Sequence, residues 1–325
     1  MSIFSLPLVI HAALAATPVT MTSPPVAPGS PLSGGELAHH FVGSHRVATS
    51  QHFRMVHTGD ADAGEALVDM LEEGRARFLH LFSAAGFALY DVGQPLVWAL
   101  FDTHAEFDRM SFETERRDLS WLDAYYSPQT NCVTLVRLQT EEMVADSDGT
   151  VVATSARPLA CTTPVSGTDV ARVLHELAHQ LAFNSGVMER GVVYPLWAAE
   201  GLADYFAGFL SPCAQRRSRF WAGGLTAAKG DGRGSSLTLR ELVGLTDLPG
   251  DDSTVANAIY DEAESLFGFL LETRRDALLA FLAAAALSRS GEATRSEREG
   301  KFVSAFGDID LLEAAWVDST TSLAF

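Results

Sequence analysis

Basic charge is scarce in this chain. Its 23 Lys and Arg stand against 41 Asp and Glu, a formal net charge of −18 over 325 residues. A chain so acidic repels nucleic acid and anionic lipid, which argues against a nucleic-acid or phosphate-binding role. Cysteine is scarcer still. Cys132, Cys161 and Cys213 are odd in number and lack CxxC spacing, which excludes a zinc knuckle. They read as buried thiols, although in an exported chain one pair could bridge. Long uncharged apolar runs are also missing beyond the N-terminus. The stretch ALLAFLAAAALS, residues 277–288, is too short to span a bilayer and reads as a buried helix. No stable membrane span is therefore expected. Calcium loops are excluded too, because DADAG and DSDG are not followed by the terminal glutamate such a loop needs. No internal repeat is visible.

The hydrophobic fraction of 47% fits a folded chain rather than a disordered one. The opening MSIFSLPLVIHAALAATPVT has an apolar run from Leu6 to Ala16 that closes on small residues. Residues 1–16 thus read as an export signal, which would place the protein in the periplasm or outside the cell. No Lys or Arg precedes the run, so an apolar N-terminus on a cytoplasmic protein stays open as the other reading. Residues 17–47 begin in Pro, Ser, Thr and Gly and read as a flexible linker. Folded structure is expected over 48–325, as an α/β part (48–160) and a mostly helical part (161–325).

In the first part, strands are expected over 52–59, 95–101, 131–138 and, after an Asp148-Gly149 turn, 150–155, and helices over 62–86 and 104–110. YYSPQTN reads as the turn before the third strand. In the second part, helices are expected over 168–184, 196–209, 238–244, 256–272, 275–288 and 308–316.

The chemistry sits in VLHELAHQL, residues 173–181. Residues four apart share a helix face, so His175 and His179 can aim two imidazoles at one ion. Glu176, beside them, is suited to take a proton from water at that ion. A catalytic zinc site wants three protein ligands and one open position. The segment YPLWAAEGLADYF, one helix later, offers Glu200 as the third ligand. Asp204 lies one turn beyond Glu200, placed to accept the far N–H of a ligand histidine. One bound Zn2+ is expected. The run RRSR at 216–219 reads as a solvated face.

HELAH followed about twenty residues on by EGLADYF resembles the gluzincins, the thermolysin-like zinc peptidases, and within them a bacterial branch with an MA-like peptidase domain. HFRMVHTG, PLVWALFDTHAEFDRM, AYYSPQTNCVTLVRL and YDEAESLFGFLLE extend the resemblance over residues 50–272. It implies a two-lobed α+β zincin-like fold, a mixed sheet lobe before a helical lobe, with the active site between them. It implies a metalloendopeptidase acting on peptide or protein substrates, with Glu176 as base. It also implies that an edge strand of the sheet pairs with extended substrate; the strand at 131–138 is the candidate. Tyr260 matches the tyrosine that donates to the oxyanion in such enzymes, with Tyr125, Tyr126 and His104 as rivals. No GxMEN segment occurs, which disfavours a standard aminopeptidase. Two further readings stay open: a silent peptidase-like module that binds peptides, and a zinc amidase or esterase for a non-peptide substrate.

Overall fold

Strands β1 (Arg46–Thr49), β2 (Phe53–His57), β3 (Leu96–Phe101), β4 (Ala124–Ser127) and β5 (Cys132–Val136) form one sheet in the order β1-β2-β3-β5-β4. The computed structural model describes residues 37–41, 44–58, 61–91, 93–137, 170–210, 237–249, 253–287 and 293–322. β2, β3 and β5 run parallel, while β1 and β4 pair antiparallel at the two ends. Every residue of β3 (LVWALF) and β5 (CVTLV) is buried. Such continuous apolar strands need cover on both faces. Helix α1 (Ala61–Ala84) and helix α3 (Val170–Asn184) lie against one face, and α2 (His104–Glu115) lies against the other.

Alternation along the strands sorts the two faces. Tyr125 meets Phe107 of α2 edge-on, at a centroid distance of 5.7 Å. Its neighbour Tyr126 stacks on Phe183 of α3 at 5.8 Å. α1 can approach α3 closely because Gly74 lacks a side chain: a Cβ there would stand 2.5 Å from Leu177.

Beyond the sheet the described chain is helical: α4 (Leu196–Leu210), α5 (Leu239–Leu242), α6 (Ser253–Thr273), α7 (Arg275–Leu287), α8 (Arg295–Phe306) and α9 (Ile309–Ser322). α4 packs between α3 and α6. Trp197 on α4 anchors the outer helices through Phe281, Phe302 and Phe306, with ring centroids 5.4–6.2 Å away. The α4–α6 contact depends on Gly201, where an added Cβ would lie 2.3 Å from the Ala263 carbonyl oxygen. Backbone cannot yield as a flexible side chain does, so Gly201→Ala must push the helices apart. Overpacking of this kind lowers unfolding free energy by about 1–3 kcal/mol. A urea titration checks this; an unchanged midpoint would mean that α6 shifts without cost.

The fold class is the α+β arrangement expected from sequence, a mixed sheet region followed by a mostly helical one. Four details differ. Packed chain begins before residue 48: Leu37 and Phe41 are buried, and Phe41 stacks on Phe101 at 4.3 Å, although both lie in the segment read as linker. The Tyr125–Tyr126 pair read as turn is strand β4; the turn itself is Pro128–Asn131. β5 is not an edge, because β3 flanks it on one side and β4 on the other. Among the described residues, the open edge of the sheet at this end is β4. Helix α8 was not expected. Its sequence RSEREGKFVSAF is mostly polar, and it buries Phe302 and Phe306, one turn apart. The expected strand at 150–155, the export signal, Cys161, Cys213 and the basic run at 216–219 lie outside the described residues. Cys132 is a buried free thiol. No helix among the described residues is long and apolar enough to cross a membrane.

Candidate metal centre

α3 carries HELAH on a helix that is buried from Ala171 to Asn184. Ordinary solvated helices expose one face; this one lies between the sheet, α1 and α4. His175 and His179 are both buried, with Nε2 atoms 2.9 Å apart. α4 lays Glu200, fully buried, beside them: its Oε2 stands 3.2 Å from His175 Nε2 and 3.3 Å from His179 Nε2. These are ion-pair distances, yet neither Glu200 oxygen makes a hydrogen bond among the described residues. Asp204, one turn further, contacts His175 Nδ1 through Oδ1 at 2.7 Å. That bond fixes the ring and leaves its Nε2 for the cluster. His179 Nδ1 has no such partner among the described residues.

Two imidazole nitrogens and one carboxylate oxygen thus converge within 4.8 Å of one another. Donors bonded to one tetrahedral ion at about 2.0–2.1 Å stand about 3.3 Å apart. The observed triangle of 2.9, 3.2 and 3.3 Å fits that face of a tetrahedron. Buried acceptors this close, with carboxylate oxygens left unsatisfied, are costly unless a cation joins them. The residues present therefore fit a divalent metal ion. Sequence reasoning named all three.

The charges are strongly coupled. Burial pulls the His175 imidazole down, but Asp204 and Glu200 outweigh it and push the group up to about 10. Burial alone would raise Glu200; His179 and His175 overcome it and hold the carboxyl down at about 2. His179 is lowered by burial. Glu176 is fully buried, and neither of its oxygens has a hydrogen bond of normal geometry among the described residues. Burial pushes it up to about 8, against the pull of His175, Arg172 and the Tyr126 backbone N–H.

A proton-linkage prediction follows from these directions. Without metal, His175 is an imidazolium at neutral pH, because its raised value lies well above 7. This pairing stabilises the metal-free fold fully below pH 6.5 and is lost as pH rises through about 10. An ion needs the Nε2 lone pair, so binding at pH 7 expels at least about one proton. Affinity then tightens with rising pH, by about tenfold per pH unit for each proton released. Calorimetry in buffers of different ionisation enthalpy counts the protons. Binding heats independent of buffer would contradict the coupling.

Tyr260 enters the same neighbourhood from α6. It is buried, and its hydroxyl is pushed well above the ordinary range by burial and then by Glu200, Asp204, Glu176 and Asp247. The rivals go elsewhere. Tyr125 points to the opposite face of the sheet, against Phe107, and burial raises its hydroxyl beside Ser111, Thr134 and Thr114. Tyr126 donates its hydroxyl to Asn131 Oδ1 at 2.9 Å. His104, half exposed, pairs with Asp123 at 3.1 Å. Asp247 was missed from sequence. It sits in the loop after α5, half-buried, and burial and Glu200 raise it. An isolated Asp in a loop carries no spacing signal that could have found it.

Residues 169–290 match a family model. Its description is protein of unknown function (DUF1570). The matched segment covers α3 to α7, and with them all six residues His175, Glu176, His179, Glu200, Asp204 and Tyr260. The match thus spans the helices of this chain that carry the cluster residues, and the sheet lies before it. No curated protein sequence matches the chain.

Proposed function

We propose that this protein is a zinc-dependent hydrolase, and specifically a metalloendopeptidase. The observation that carries the reading is Glu176. A purely structural metal site has no use for a buried carboxylate beside its histidines, whereas a hydrolytic one needs a proton acceptor there. Two imidazoles and a carboxylate form a zinc hydrolase ligand set. When bound, zinc would supply a Lewis acid that makes a water acidic and polarises a carbonyl. Glu176 accepts the proton of the attacking water and delivers it to the leaving amine. Tyr260 keeps its proton and donates a hydrogen bond to the developing oxyanion.

Strand β4, whose outer edge is unpaired among the described residues, supports a peptide substrate. Val136 N–H donates to the Asp123 carbonyl at 2.8 Å, so the bonded pairs of this ladder are Tyr125/Thr134 and Ser127/Cys132. Ala124 and Tyr126 therefore turn their N–H and C=O groups away from β5. Those groups are free of the ladder and lie on the side of Glu176, which feels the Tyr126 N–H. An extended peptide can add to such an edge as one more strand. β4 thus takes the place expected for the strand at 131–138.

Purified protein analysed for metal, then given an unbiased peptide library with and without chelator, tests the reading. Chelator-sensitive cleavage with stoichiometric zinc supports it. Zinc without cleavage would favour the silent peptide-binding module or a non-peptide amide or ester substrate. Tyr260→Phe tests the oxyanion role separately. It removes only a hydroxyl, so zinc content stays and kcat falls by about 2–4 kcal/mol of barrier. KM moves little, because the bond strengthens in the transition state. A normal kcat with a slightly lower Tm would make Tyr260 a packing residue.

A further inference from the structure

The face of α3 that carries Glu176 continues, at steps of four, to Gln180 and Asn184. Both are buried. Their amides do not join the metal cluster; they reach the sheet. Gln180 Nε2 donates to the Val97 carbonyl at 3.2 Å and to the Asn131 carbonyl at 3.1 Å, and its Oε1 accepts from Trp98 Nε1 at 2.6 Å. Asn184 and Asn131 exchange two side-chain hydrogen bonds, Asn131 Nδ2 to Asn184 Oδ1 at 3.0 Å and Asn184 Nδ2 to Asn131 Oδ1 at 2.7 Å. Asn131 Oδ1 also accepts from the Tyr126 hydroxyl at 2.9 Å, and Asn184 Nδ2 donates back to the Gln180 carbonyl at 2.7 Å. Asn131 closes the β4–β5 turn with φ of 54°, a left-handed conformation that asparagine tolerates better than most residues.

An apolar contact between helix and sheet would be the simpler way to fill this space, and buried amides are costly unless every one is met. Here donors and acceptors on two strands, the β4–β5 turn and one helix satisfy one another, which fixes position rather than only adhesion. A greasy interface lets a helix slide along a sheet by a fraction of a turn. This network does not, because the partners of each amide are fixed at one height. We propose that Gln180 and Asn184, with Asn131 opposite them, are positioning residues. They hold the open strand β4 level with Glu176 and with the His175/His179/Glu200 cluster. The consequence for substrate rests on the peptidase reading; the positioning itself does not.

The test uses the full chain loaded with zinc. In Asn184→Ala, amide exchange in the segment 123–127 accelerates by about tenfold or more, while exchange in α4 and α6 changes by less than about threefold. Zinc affinity, measured by chelator competition, stays within about threefold, since no ligand or ligand partner is altered. On a peptide that the wild type cuts, kcat/KM falls by about tenfold or more. Gln180→Met keeps side-chain length, removes only the amide, and gives the same pattern if Asn184→Ala does not fold. Uniform acceleration in all elements, or unchanged exchange in β4, overturns the proposal. If the wild type cuts no peptide, the peptidase reading fails, and the exchange and zinc measurements still decide the positioning role.

Discussion

His175→Ala and His179→Ala each leave the purified chain with only a small fraction of the wild-type metal. The expectation rests on geometry. The cluster offers an ion three protein donors, two of them imidazoles on consecutive turns of α3 and one a carboxylate from α4. Removing one imidazole leaves two donors, too few to hold zinc in a buried site against dialysis. The two variants also differ in a diagnostic way. His175→Ala strips Asp204 of its 2.7 Å partner, while the His179 ring has no such outer bond among the described residues. His175→Ala therefore disturbs two residues and His179→Ala one. Metal content after dialysis, with circular dichroism to confirm folding, reads the result. Full stoichiometry in both variants would remove the metal centre, and the proposed chemistry with it.

The legibility of this centre in the sequence has a physical cause. A helix converts a spacing of four into a shared face, so His175 with His179 and Glu200 with Asp204 could be paired from spacing alone. Uniting the two pairs needed only that consecutive helices pack, which a short reversing loop makes the common outcome. Tyr260 lies two helices further on; spacing could not place it, and the resemblance could.

The sheet was less legible, because strand order is a nonlocal property. AYYS and CVTLV are both buried throughout, so neither shows the polar face that marks a strand exposed on one side. Tyr125 and Tyr126 then read as turn beside Pro128, and β5 looked like the edge. The hairpin inserts β5 beside β3 and leaves β4 outside. Helix α8 was missed because a polar surface helix buries little. Its signal was at its start: Thr294 and Glu297 form a reciprocal capping box. The amides of Asn131, Gln180 and Asn184 were overlooked for another reason. Buried and exposed amides are spelled alike. The one available sign was that Gln180 and Asn184 continue the Glu176 face of a helix whose other positions are mostly apolar.

Glu176→Gln keeps the metal and loses turnover. The change is isosteric and removes no ligand, so zinc content and affinity stay close to wild type. What disappears is the proton acceptor. Glu176 is fully buried, with both oxygens lacking a hydrogen bond of normal geometry among the described residues, and no other carboxylate in the cluster is available for its role. Glu200 lies against both imidazoles as the candidate third ligand, and Asp204 bonds His175. Loss of a general base lowers kcat by about a hundredfold to ten-thousandfold, on the order of 3–5 kcal/mol of barrier. A second readout needs no substrate. Burial raises Glu176 from 4.5 to about 8 in the metal-free fold. A carboxyl raised on folding weakens the fold progressively as pH climbs above 4.5, and the loss levels off above about 8. Glutamine carries no such penalty. Metal-free Glu176→Gln is therefore expected to gain stability relative to wild type as pH rises across that window, measured by urea unfolding at several pH values. A variant that loses stability in step with wild type would mean that Glu176 is not held as a buried, proton-retaining acid. A variant that cuts peptides at the wild-type rate would mean that another group takes the proton from water.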